Sequence, residues 1–129
     1  MKRRSMPADA RTWRDRAARE VTRVLDELPP ELRARIDDVP VVLEGMPDAE
    51  LAARGWGRVL GLFTGVAYPD AVSVSQQRPP EIVLFLDALR SQSGGDPQRF
   101  REEVRRTLLH EIGHYLGLDE EDLAERGLA

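Results

Sequence analysis

Apolar residues recur at spacings of three and four from Asp9 to Leu28, where Trp13, Ala17, Val21, Val24, Leu25 and Leu28 fall on one helical face. The spacing predicts an amphipathic helix stopped by Pro29 and Pro30, since proline lacks the N–H and clashes with the preceding turn. A second, short helical turn is expected over Glu31 to Ile36. The period then changes. "VPVVLEG" is rich in branched side chains and reads as a strand ended by Gly45. "DAELAAR" (residues 48–54) suits a short helix capped by Asp48. "WGRVLGLFTGVAY" is apolar, but Gly57, Gly61 and Gly65 weaken a helix there and favour an extended or bulged strand. "DAVSVSQQRPP" is expected to be loop. "EIVLFLDAL" reads as a strand buried on both faces, and "RSQSGGD" as an exposed loop.

Asp96 followed by Pro97 is a helix start, a capping carboxylate with proline at the first helical position. The helix should run to Leu116 and stop at Gly117, with Phe100, Val104, Leu108, Ile112 and Tyr115 as its packing stripe. A last helix from Glu120 or Glu121 to Arg126 closes the chain. The order predicts an α+β fold, a short sheet packed by helices in one small domain over residues 9–129, preceded by a flexible tail over 1–8.

Composition narrows the chemistry. The 129 residues suit one domain with its own core, 41% apolar and 33% charged. The absence of cysteine excludes disulfides, thiolate metal sites and thiol nucleophiles. A formal net charge of −4 gives no general attraction to nucleic acid or anionic membranes. The basic start "MKRRSMPADARTWRDR" is followed by no apolar run, so neither a signal peptide nor a spanning helix is expected, and the cytoplasm is the expected location.

Both histidines of the chain lie in "LLHEIGHYLGLDEEDL", residues 108–123. Four residues apart on a helix, His110 and His114 share a face, separated by a rise of about 6 Å, and can converge on one ion. They fall beside the packing stripe, as residues lining a cleft would. Glu111 lies nearer the core, placed to reach a water held by that ion. Two imidazoles are too few for a tight site. A left-handed Gly117 can turn the chain back, which makes Asp119 and Glu120 the candidates for a third ligand. One carboxylate with two neutral imidazoles leaves a divalent ion positive and open at one position. One Zn2+ is the expected ion for nitrogen and oxygen ligands.

"HEIGHYLGLDE" resembles the extended zincin signature H-E-x-x-H-x-x-G-x-x-(H or D). The chain resembles the minimal zincin-like metallopeptidases, bacterial single domains of similar length with the motif helix near the C-terminus. "PPEIVLFLDAL" and "GLFTGV" resemble that family's strand segments, so the likeness covers residues 39–126. It implies a minimal zincin-like fold, with zinc held by His110 and His114. It also implies peptide-bond hydrolysis by a zinc-polarised water, with Glu111 as general base. The family's last ligand position falls on Glu120, where aspartate is usual; Asp119 stands one residue early.

The chain departs from the larger metzincins, which carry a methionine-containing turn beneath the metal, in having no methionine after the motif, only Met1, Met6 and Met46. Nine residues follow Glu120, so the cleft is expected to be shallow or to be completed by a second copy or a partner. For an oxyanion-stabilising group, Tyr68 and Arg58 are the candidates. The strand Leu60, Gly61, Leu62, Phe63 and Thr64 is expected to hold a peptide or protein substrate extended along its edge. The alternative is a non-catalytic, metal-stabilised binding module. A metal-dependent ribonuclease would want a histidine where Glu120 stands, and a basic surface.

Overall fold

The computed structural model of the protein describes residues 8–46, 53, 60–64 and 80–128. The elements in chain order are α1 (Ala8–Glu27), α2 (Pro30–Ile36), β1 (Val41–Glu44), β2 (Gly61–Thr64), β3 (Glu81–Phe85), α3 (Leu86–Gln92), α4 (Pro97–Leu116) and α5 (Glu120–Glu125). The short helix expected at 48–54 lies outside the described residues apart from Ala53, and so do residues 1–7 of the expected tail, Trp56, Arg58, Tyr68 and residues 70–79 of the expected loop.

β3 is the middle strand of a three-stranded sheet of order β1-β3-β2. β1 runs parallel to it, from Val41 opposite Ile82 to Glu44 opposite Phe85. β2 runs antiparallel, from Gly61 opposite Leu84 to Thr64 opposite Glu81. Ile82, Val83, Leu84 and Phe85 are all buried, as a central strand covered on both faces requires. β2 has β3 on one side and is an edge strand among the described residues.

"EIVLFLDAL" is not one strand. The ladder ends at Phe85, and the chain enters α3 at the next residue. Among the described residues the last bonds to the neighbours are here: Phe85 N–H donates to Leu60 O at 2.9 Å, and Asp87 N–H to Gly45 O at 2.9 Å. Past that point a helix buries Leu86 and Leu89, three apart, while Asp87 points outward. "RSQSGGD" is likewise half helical. Arg90–Gln92 finish α3, and Ser93 is buried with its hydroxyl donating to Arg90 O at 2.8 Å.

α4 carries the core. Its cap is the expected one: the Asp96 carboxylate accepts from Arg99 N–H at 2.9 Å, with Pro97 next. Phe100, Val104, Leu108 and Ile112 are fully buried between the sheet and α1, whose Trp13, Ala17, Val24 and Leu28 face them. Trp13 meets Phe100 edge-on at 4.7 Å between ring centroids. The guanidinium carbons of Arg16 and Arg90 lie 4.7 and 4.9 Å from the Trp13 ring centroid. Gly61 is where β2 crosses α4. A Cβ there would stand 2.6 Å from Thr107 Cγ2, so the glycine allows the close approach of the strand to the helix. Among the described residues, no helix is long and apolar enough to cross a membrane.

Candidate metal centre

The last two turns of α4 lie alongside β2, Phe63 packing on Tyr115 at 5.5 Å between centroids. Tyr115 is therefore buried with the stripe, while His110 and His114 stand on the adjoining open face. Their rings are 4.3 Å apart between centroids. Glu111 is turned inward beside them, its side chain 8% exposed against 53% for His114. Ligand atoms from His110, Glu111 and His114 all lie within 4.8 Å of one another, the one such group among the described residues.

Two carboxylates orient the imidazoles. His114 Nδ1 donates to Glu111 Oε1 at 3.2 Å, and His110 Nδ1 donates to Glu120 Oε1 at 2.8 Å. An ionised carboxylate only accepts, so each Nδ1 is the donor, and in the neutral ring that arrangement leaves the Nε2 lone pair to a metal. The donor set of two imidazoles and a nearby carboxylate fits a divalent ion with nitrogen and oxygen ligands.

The loop after α4 delivers the acids. Gly117 is left-handed, with φ 73°, and closes the helix with a six-residue turn: Gly117 N–H reaches His114 O at 3.3 Å and Leu118 N–H reaches Gly113 O at 2.8 Å. The chain is thus folded back on α4. Asp119 becomes the cap of α5, accepting from Asp122 N–H at 2.8 Å while Asp122 accepts from Asp119 N–H at 3.0 Å. That reciprocal box occupies the Asp119 carboxylate, whereas the exposed Glu120 is the acid that stands against His110. Glu120 meets the histidines at Nδ1 of His110 and lies outside the three-residue group. The acidic first turn of Glu120, Glu121 and Asp122 also suits the positive end of the helix.

One residue of the site escapes a reading by motif. Gly113 sits in the last turn of α4, where glycine costs up to about 1 kcal/mol relative to alanine. A Cβ there would stand 2.8 Å from Leu118 O and 3.3 Å from Leu123 Cδ1. The missing side chain lets the loop and α5 close onto α4, bringing Glu120 to His110. A glycine inside an otherwise helical pattern was the available signal.

A family model described as zincin-like metallopeptidase matches residues 36–128. No curated protein gives a significant match.

Proposed function

The chain belongs to the zincin-like metallopeptidases, and from that premise we propose that it is a zinc-dependent hydrolase of peptide bonds acting on a peptide or protein. The observation that carries the reading is one buried carboxylate set against two open imidazoles, with ligand atoms within 4.8 Å. In this reading His110 and His114 hold the ion. Glu120, an exposed carboxylate beside His110, completes the set in preference to Asp119, whose carboxylate is held in the α5 cap; to reach the ion it exchanges its bond to His110 Nδ1 for the metal.

A zinc ion bound there supplies Lewis acidity, making a water more acidic and drawing electron density from a carbonyl oxygen. Glu111 does the proton work. Its carboxylate takes a proton from the attacking water as the water oxygen bonds to the carbonyl carbon. It then gives that proton to the amine nitrogen as the C–N bond breaks. The contact with His114 Nδ1 and the surrounding core fix the Glu111 carboxylate, so little reorganisation is needed at the moment of transfer. The edge position of β2 among the described residues supports a role for Leu60–Thr64 in holding the substrate extended by main-chain hydrogen bonds.

The test is Glu111→Gln. Metal analysis of tag-free protein should give one zinc per chain for both forms, and hydrolysis of a mixed peptide library should be lost only in the variant. Equal turnover in the two forms would refute the mechanism. Stoichiometric zinc with no turnover by the native chain would favour the metal-stabilised binding module.

A further inference from the structure

A second hollow, of about 280 Å3, opens beside the histidine face and shares His110, Glu120 and Leu123 with the space in front of His114. Its floor is apolar: Leu109 from α4, Leu123 from α5, and Leu128, all buried. Leu128 is folded onto α5 by another left-handed turn, with Gly127 at φ 73° and Leu128 N–H donating to Leu123 O at 2.9 Å.

The rim is charged, and its two arginines already have carboxylate partners. Arg105 pairs with Glu27 at 2.8 Å, Arg106 pairs with Glu103 at 3.2 Å, and Glu102 accepts from Gln98 Nε2 at 3.3 Å. With their head groups engaged, the two arginines offer the hollow their aliphatic stems. An entering anion would find both arginines already paired, whereas an apolar group would exchange water for the three leucines. The volume lies at the lower end of ligand pockets, suited to one side chain rather than to a larger molecule.

We propose that this hollow is a specificity pocket for one leucine-sized aliphatic side chain of a bound peptide. The proposal rests on the hydrolase reading only for what presents that side chain. A ligand whose carbonyl faces His110 and His114 has its neighbouring side chain within reach of the hollow, because both spaces share the His110–Glu120 wall. Leucine should be preferred to alanine at that position by about tenfold or more, the discrimination typical of a few methylenes in an apolar pocket.

The pocket can be tested without metal or turnover. The full chain, with leucine methyls labelled and assigned, is titrated with N-acetyl-leucinamide, N-acetyl-alaninamide and N-acetyl-lysinamide, with and without zinc. Saturable shifts of the Leu109, Leu123 and Leu128 methyls are expected with the leucine compound, and binding at least about tenfold weaker with the other two. Leu128→Ala, at the margin of the fold, should weaken the leucine compound and improve N-acetyl-phenylalaninamide. Absence of saturable shifts at these methyls, or equal binding of the three probes, would overturn the pocket. These readouts stand whether or not peptides are cleaved. Conversely, cleavage of a peptide library with no aliphatic preference on either side of the cut would overturn the pocket and leave the hydrolase standing.

Discussion

Gly113→Ala puts the fold-back at the metal centre to a quantitative test. In an open helix the change gains about 1 kcal/mol, because alanine loses less backbone freedom than glycine. Here the new Cβ would meet Leu118 O at 2.8 Å and Leu123 Cδ1 at 3.3 Å. A carbon–oxygen contact is comfortable at about 3.3 Å or beyond, so the Leu118 carbonyl must retreat by roughly 0.5 Å. That carbonyl is backbone and cannot swing aside as a side-chain tip would. Overpacking of this kind costs about 1–3 kcal/mol, and straining the 2.8 Å bond from Leu118 N–H to Gly113 O costs about 0.5–1.5 kcal/mol more. Against the propensity gain, the net is a loss of about 1–3 kcal/mol, a fall in Tm of roughly 3–10 °C for a chain of this size.

The displaced carbonyl lies two residues before Glu120, so the affinity for zinc should fall with the stability. Urea denaturation of the zinc-free protein and competition with a chromophoric chelator measure the two effects separately. Gly117→Asn is the control. Gly117 has φ 73° but nothing within 4 Å of its Cβ position, and asparagine tolerates the left-handed region, so this variant should lose little in either assay. A Gly113→Ala protein that is more stable than the native chain by the full helical gain, with zinc binding unchanged, would show that α5 does not close on α4 as described.

Three further outcomes are expected. Glu120→Gln should weaken zinc binding at least about tenfold at little cost in stability, whereas Asp119→Ala should mainly cost the cap, about 0.5–2 kcal/mol; the reverse pattern in metal titrations and thermal melts would make Asp119 the ligand. Free zinc at a hundred times its dissociation constant should stabilise the fold by about 2.7 kcal/mol, and chelation should reverse this, as calorimetry would record; a melt indifferent to zinc would count against the site. Trp13→Ala removes the ring that packs edge-on against Phe100, and should cost about 3–5 kcal/mol by urea denaturation; a cost under about 1 kcal/mol would mean that the α1–α4 contact does not hold the fold together.

What the sequence discloses depends on how far apart the interacting residues lie. α1 and α4 are legible because their signals are local: apolar spacing, two prolines after α1, a capping aspartate and proline before α4, and a left-handed glycine after it. The α+β class follows from those helices and the branched residues of β1 and β3. The junction at Phe85 is not legible, because an unbroken apolar run fits a buried strand and a buried helix alike. The ladder partners that mark the junction, Glu44 of β1 and Leu60 before β2, are not near it in the chain.

The metal centre divides along the same line. The facing of His110 and His114, and the inward turn of Glu111, follow from helical geometry alone. The preference for Glu120 over Asp119 rests on a further fact, the reciprocal bonding of Asp119 with Asp122, which the pattern D-x-x-D at a helix start already suggests. Nothing in that pattern tells how near the cap stands to the histidines. That nearness depends on Gly113, whose side-chain position is claimed by a carbonyl five residues on. The two glycines of the motif thus have different physical duties, Gly117 for its backbone angle and Gly113 for the space it leaves, and a substitution that spares the first can still break the second.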